Sequence, residues 1–508
     1  MSNAHPPGAP YALNDSAQAD APSTLRPDEL SGWAWARRHL KWPLLLFGAY
    51  FAILCVTSWE RVTKPSKDTH FAYLAQTYLE MAQSTYDPEV KARRAGLMPF
   101  EMSRKPPHGN DWASYWELTT KDGEVFRGIW NKKRGRGEFK MLDKRVVVLQ
   151  PKDLDHSKTK RRFFVSFPPG PALVFLPFAA VWGTQVNDVL LTIFFAALNV
   201  ALLFALLERL ARGGRSGRSR RDNLWLIALF GLGTCHYWLS VMGQVWFTAQ
   251  IMGVTWTLLF IHCAIDAKRP LWAGIFCAMA FATRTPLLFS SVFFFLWVLF
   301  PAGQRLQREQ WGWAAKKLAL FCAPCLVVGL GLLAINHMRF ESLTEFGHTY
   351  LAAGQLQRIK TYGLFHPHFL SKNLSTLFTL LPVFKAQAPY VSISTHGMSI
   401  LLTTPAFFYL VRPQARTSPH DTAWHRILWA TVAAVALPSL FYQNTGYAQF
   451  GFRFSVDYTA YLILLLATGR HAIDRWFKAT ILWSVGVNAF GALTFKRFAQ
   501  FYTNKFFI

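Results

Sequence analysis

The chain is dominated by apolar stretches of about twenty residues with almost no charge, residues 186–207 and 318–336 among them. At ~1.5 Å rise per residue such a stretch, coiled as a helix, matches the ~30 Å hydrocarbon core of a bilayer. Hydrocarbon admits only structures that satisfy their own backbone polar groups, so repeated stretches of this kind predict a bundle of helices. Composition agrees: 52% of the 508 residues are hydrophobic and only 16% are charged, too few to cover several soluble domains. The fold class expected is an all-α polytopic membrane protein with about eleven transmembrane helices. They are read at 42–59, 186–207, 223–241, 248–266, 271–284, 286–301, 318–336, 393–411, 425–442, 456–469 and 479–495.

The formal charge of +26 would suggest nucleic acid in a soluble protein. Here many of the cations fall in short loops between spans, where they report orientation, and no nucleic-acid partner is expected. Residues 1–38 read as a disordered cytoplasmic tail, closed by Arg37, Arg38 and Lys41 before the first helix, 42–59. Residues 60–185 then form a large external loop. It holds amphipathic helices, one over 69–83, and a β-rich insert at about 102–160 whose turn is Lys121-Asp122-Gly123. The apolar run 171–182 is short and contains proline, so it reads as lying along the membrane surface. A transmembrane core follows at 186–336, a second external block at 337–392, C-terminal transmembrane helices at 393–495 and a tail at 496–508. Arg209, Arg212, Arg215, Arg218, Arg220 and Arg221 mark an inside loop, whereas Lys496 and Arg497 run against the rule at the last helix. The localisation expected is the cell (inner) membrane, multi-pass, with the amino terminus cytoplasmic. The six cysteines lie in or beside apolar segments, which is not a disulfide framework.

On this topology the loops rich in Gly, aromatic and polar residues all face outward. Asp68 opens the amphipathic helix, either as an N-cap or as a general base that takes a proton from an acceptor hydroxyl. Arg284, between two apolar stretches, is either a topological anchor or a clamp on an anionic phosphate. Arg453 and Asp457 are spaced as an intrahelical pair, but Tyr447 and Gln449 precede them in a glycine-containing loop suited to a ligand. Arg339, Glu345 and His348 form a similar cluster. His70 and Tyr73, on the helix after Asp68, and Trp246 and Gln250, in the next outer loop, complete the candidate substrate surface. His366-x-His368 lacks nearby acidic or cysteine partners, and no metal site is expected.

In order, these elements resemble the GT-C-fold membrane glycosyltransferases of bacteria, the superfamily of protein O-mannosyltransferases and aminoarabinose lipid A transferases. The likeness lies in Lys67-Asp68-Thr69-His70-Phe71, Phe167-Pro168-Pro169-Gly170, Phe281-Ala282-Thr283-Arg284, Asn336-His337-Met338-Arg339-Phe340 and Gly451-Phe452-Arg453-Phe454. The resemblance implies a GT-C-like bundle, a polyprenyl-phosphate-linked sugar as donor rather than a separate cofactor, and an envelope glycan, lipid or protein as acceptor at the external face. By position Asp68 matches the catalytic Asp of that family, read here as a general base, and Arg284, Arg339 and Arg453 are the candidates for binding the donor phosphate. Many relatives carry a second acid in the next outer loop, where this chain has Trp246-Phe247-Thr248-Ala249-Gln250. A multi-pass transporter or lipid flippase, and a non-catalytic envelope-assembly scaffold, are the alternative readings.

Overall fold

A computed structural model describes residues 32–107, 111–130, 137–351, 359, 361–412 and 419–506. It is mainly helical, and five helices are long and apolar enough to cross a membrane: Leu40–Thr57, Asp188–Arg212, Val245–Ala267, Arg308–Phe340 and His420–Phe441. The expected tail 1–38 falls mostly outside the described residues, but its end does not. Helix α1 begins at Gly32 and runs to Thr57, ten residues ahead of the expected start.

Helices α2 (His70–Gln83), α3 (Pro88–Arg94) and α4 (Gly170–Trp182) precede the central helices α5 (Asp188–Arg212) and α8 (Val245–Ala264). The packing runs from α1 to α5, α8, α9 (Pro270–Thr283) and then α11 (Trp311–Phe340). The inner members are covered by protein, 83% of the apolar window of α8 being buried against 6% in α11. On α11, Leu326, Val327 and Leu330 are 63%, 70% and 58% exposed. A continuous apolar face of this kind suits hydrocarbon and would aggregate in water.

Eleven uninterrupted spans do not form. The stretch 223–241 divides at Gly233-Thr234 into α6 (Arg220–Leu232) and α7 (Cys235–Ser240), with the Thr234 hydroxyl capping the second piece at the N–H of His236. Pro286 cannot continue a helix from α9, so the chain runs as a 3₁₀ turn, Thr285–Ser290, before α10 (Ser291–Leu299). Residues 393–411 are a correction to the expected span. They begin in a strand, continue as Ile400–Thr403, break at Pro405 and end in Phe408–Val411. The run 171–182 is helical but only 13 residues long, α4, about 20 Å and too short to span.

The β-rich insert is a five-stranded antiparallel sheet in the order β4-β3-β2-β1-β5. Its strands are Trp112–Thr119, Val125–Trp130, Glu138–Met141, Val146–Val148 and Lys160–Val165, numbered β1 to β5, so it extends past the expected boundary at 160. Buried Arg162 fastens it by ion pairs to Glu101 (2.6 Å) and Glu117 (2.5 Å). Ala113, Tyr115 and Phe164 pack with Phe340 and Tyr350, which fixes the sheet on the end of α11. A second sheet joins β6 (Val383–Phe384), β7 (Val391–Ser394) and β8 (Tyr502–Thr503), so part of the C-terminal tail folds back onto the molecule.

Candidate functional site

One end of the bundle gathers the C-termini of α1, α9 and Arg475–Thr494 with the N-termini of α5, α8 and Val456–Thr468. Asp188, the first residue of α5, organises the loops there. Its carboxylate accepts from the Ser66 N–H (2.8 Å), the Ser66 hydroxyl (2.6 Å) and the Gln244 N–H (2.9 Å). The Ser66 oxygen in turn accepts from the Asp68 N–H (3.2 Å), and the Asp68 carbonyl accepts from the Val245 N–H (3.1 Å). The backbone of Asp68 is therefore held from two sides by groups distant in sequence.

Its side chain is not the cap of α2; Thr69 occupies that position. The buried Asp68 carboxylate instead accepts from the side-chain amide of Gln244 (2.7 Å). The amide oxygen of Gln244 accepts from the Lys496 ammonium (2.8 Å), so one amide spans an acid and a base. Only this orientation gives the carboxylate a donor and the ammonium an acceptor. Gln244 adopts a left-handed backbone, φ +67°, and the preceding Gly243 does too, at φ +57°. A Cβ at Gly243 would stand 2.7 Å from Val189, so the turn that aims Gln244 needs glycine there.

Lys496 is reachable from outside, yet its ammonium lies over the rings of Trp246 (5.8 Å) and Phe247 (5.4 Å). This apolar crowding lowers its pKa to about 8; Asp68 opposes the shift, and Arg453 and Arg61 reinforce it. Buried Arg453 donates to the Gly446 carbonyl (2.8 Å) and the Gln250 amide oxygen (3.0 Å), and rests over Phe247 and Phe454. Burial, with repulsion from Arg284, brings its pKa down to about 9. Among the described residues no carboxylate lies within ion-pair distance of Arg453.

Of the other candidates, Arg284 is held in a bidentate pair with Asp457, at 2.9 and 2.6 Å. Asp457 therefore neutralises a neighbouring arginine, and the i, i+4 pairing with Arg453 read from the sequence is not the one formed. His70 stacks on Trp112 with centroids 3.7 Å apart and meets Phe167 and Trp246. Tyr73 lies edge-on to the same Trp112. Gln449 accepts from the Arg453 N–H (2.8 Å), and Tyr447 is exposed beside it.

Arg339, Glu345 and His348 stand at the adjoining joint: Val165, which Arg339 holds, pairs with Trp112, the ring on which His70 stacks. Arg339 donates to the Val165 carbonyl (2.5 Å) and to Asn336 (2.8 Å), while Glu345 accepts from Gly347 and Thr349 within its own turn. With the buried His348 they form the joint between α11 and the five-stranded sheet. The His366 ring caps the N–H of His368 (3.1 Å), a local turn. Among the described residues, no three carboxylate, imidazole or thiol groups gather as a metal set.

Two site residues escaped the sequence reading. Asp111, just before β1, accepts from the Trp246 indole N–H (3.0 Å) and lies within electrostatic reach of Asp68 and Arg453. Burial is the main force raising its pKa, Asp68 adds to it, and the indole opposes it. A second acid thus approaches the loop at Trp246, supplied by the β insert. Lys496 did leave a signal, since it was one of the two cations at odds with the charge rule. Compared with protein-family models, curated proteins and solved structures, the chain has no match.

Proposed function

We propose that the chain is a membrane-embedded glycosyltransferase that moves a sugar from a polyprenyl-phosphate donor to an acceptor hydroxyl. The observation that carries this reading is the meeting of Asp68 and Lys496 across the single amide of Gln244, with Arg453 beside them. In the reaction the acceptor oxygen attacks the anomeric carbon, and its proton passes to the Asp68 carboxylate. The bond from that carbon to the phosphate oxygen breaks on the opposite face, the electron pair leaves with the phosphate, and the anomeric centre inverts. Charge grows on the departing phosphate, where preformed cations are worth most. Lys496 and Arg453 are assigned that work, because Arg284 already spends its charge on Asp457. Arg339 is withdrawn from the donor-binding set.

On this reading the site end faces outward from the inner membrane. The shorter and broken apolar helices complete a GT-C-like bundle around the five long ones, and the acceptor is an envelope glycan, lipid or protein. Asp68→Asn provides the test. Asparagine retains an oxygen to accept from Gln244, so the loop stays in place while the base is lost. Transfer of a labelled sugar from polyprenyl phosphate in proteoliposomes should drop by about 10²–10⁴-fold. Undiminished transfer in this variant, or solute flux by the wild type with no transfer, overturns the reading.

A further inference from the structure

At the end of the bundle opposite the site, an apolar cleft of about 440 Å³ opens between two segments of the chain. One wall holds Leu402, Pro405 and Tyr409, and the other is the start of Arg475–Thr494, presenting Trp476, Ala479 and Trp483. The cleft exists because Pro405 follows the short helix Ile400–Thr403 and stops it, so the segment cannot pack as one straight rod. The stop leaves carbonyls of that helix open, and the Trp483 indole N–H takes one of them, at Leu402 (3.0 Å). Tyr409 is fixed from behind by stacking on Phe477, with centroids 4.3 Å apart. Trp476 and Trp483 remain 64% and 55% exposed, so the cleft offers two indoles outward.

Each wall ends in an arginine. The Arg412 guanidinium lies 5.8 Å from the Tyr409 ring and that of Arg475 5.3 Å from the Trp476 ring, which sets one cation on either side of the mouth. Among the described residues neither stands within ion-pair distance of a carboxylate, and Asp474 beside them caps the Phe477 N–H (2.8 Å). We propose that the cleft holds one anionic phospholipid of the bilayer, with an acyl chain along Trp476 and Trp483 and its phosphate between Arg412 and Arg475. An apolar trough open to hydrocarbon is filled by a lipid tail, and its volume lies within the roughly 300–1,000 Å³ of ligand sites. Guanidinium groups match phosphate oxygens in geometry, and basic pockets between helices take acidic head groups. Two cations without a facing acid favour a head group of net negative charge over a zwitterion. The inference rests on the membrane-embedded part of the function proposed above and not on transfer.

Native mass spectrometry of the full chain in detergent tests this, with phosphatidylglycerol and phosphatidylcholine of the same acyl chains as probes. The first phosphatidylglycerol should bind about tenfold more tightly than the first phosphatidylcholine. Arg412→Gln combined with Arg475→Gln should remove that margin, and lysine at both positions should keep most of it. Ala479→Trp fills the cleft and should weaken both lipids by roughly tenfold, whereas Val327→Trp, on the exposed face of α11, should leave both unchanged. An unchanged melting temperature in detergent shows that each variant is folded. Equal affinity for the two lipids, a margin that survives the paired glutamines, or wild-type binding by Ala479→Trp overturns the proposal. Displacement of phosphatidylglycerol by an equal concentration of polyprenyl phosphate also overturns it, since the cleft would then belong to the donor. Because no sugar moves in this experiment, loss of the transfer reading through Asp68→Asn and loss of this lipid site are separate outcomes.

Discussion

The two ends of the bundle use cations differently. At the end opposite the site, Arg215, Arg220 and Arg470 pair with Asp266, Glu208 and Asp421, while other cations finish helices. Arg209 donates to the His262 carbonyl (2.6 Å), Lys317 to that of Ala267 (2.9 Å), and Arg218 to those of Leu466, Gly469 and His471. These satisfy carbonyls that a helix C-terminus leaves open, with the favourable sign of the helix dipole. At the site end, Arg61 and Arg497 act alike on the carbonyls of Phe495 and Thr57. Lys496 and Arg284 instead meet side chains, and Arg453 meets both a side chain and a carbonyl. At the site end the side-chain partners of Lys496, Arg284 and Arg453 all come from elements far away in the sequence.

Breaking an ion pair at the site end gives the largest expected effect. The side chains of Arg284 and Asp457 are 15% and 2% exposed, so Asp457→Asn leaves a guanidinium largely desolvated without its counter-charge. Stability should fall by about 3–5 kcal/mol in thermal unfolding, and Arg284→Gln added to Asp457→Asn should recover part of it. A loss below ~1 kcal/mol would place this pair with ordinary surface pairs.

Lys496→Ala comes next. On the transfer reading this loss of a cation should lower transfer by about 10²–10³-fold, whereas Arg218→Ala should leave transfer per folded molecule unchanged. The same lysine sets a pH dependence. With its pKa lowered to about 8, transfer should decline above that pH, approaching tenfold per unit. Stability should move the other way. Between about 8 and the ordinary lysine value of 10.5 the unfolded chain holds a proton that the folded chain has shed, so this contribution to stability rises with pH. Transfer and melting temperature measured across that window should diverge in the wild type, and Lys496→Gln should remove the divergence.

The sequence made the long helices legible, because span length follows from hydrocarbon thickness. It also pointed to Asp68, Arg284 and Arg453. The pairing of Arg284 with Asp457 was hidden, as was the approach of Asp111 to Trp246, since each joins residues far apart whose meeting depends on helix packing. Arg339 is held at the joint between α11 and the sheet, a placement that its motif did not reveal. The 393–411 segment misled for another reason: hydropathy does not register that Val391–Ser394 pairs with Tyr502–Thr503 in a strand.

The smallest effect belongs to the opposite end. Arg470 and Asp421 approach to 3.4 Å with side chains 49% and 41% exposed. Water screens such a pair, and ordering two side chains offsets most of the attraction, so Asp421→Asn should change stability by about 0–1 kcal/mol and fade further with salt. Asp421 also stands in the first turn of Pro419–Phe441, where a carboxylate favours the helix by a few tenths of a kcal/mol. Raising the salt in parallel melts of Asp421→Asn and Asp457→Asn separates the two cases, because screening reaches the exposed pair and not the enclosed one. If both deficits shrink together, the site-end pair is solvated, and the inward-facing charge on which the contrast between the ends depends is lost.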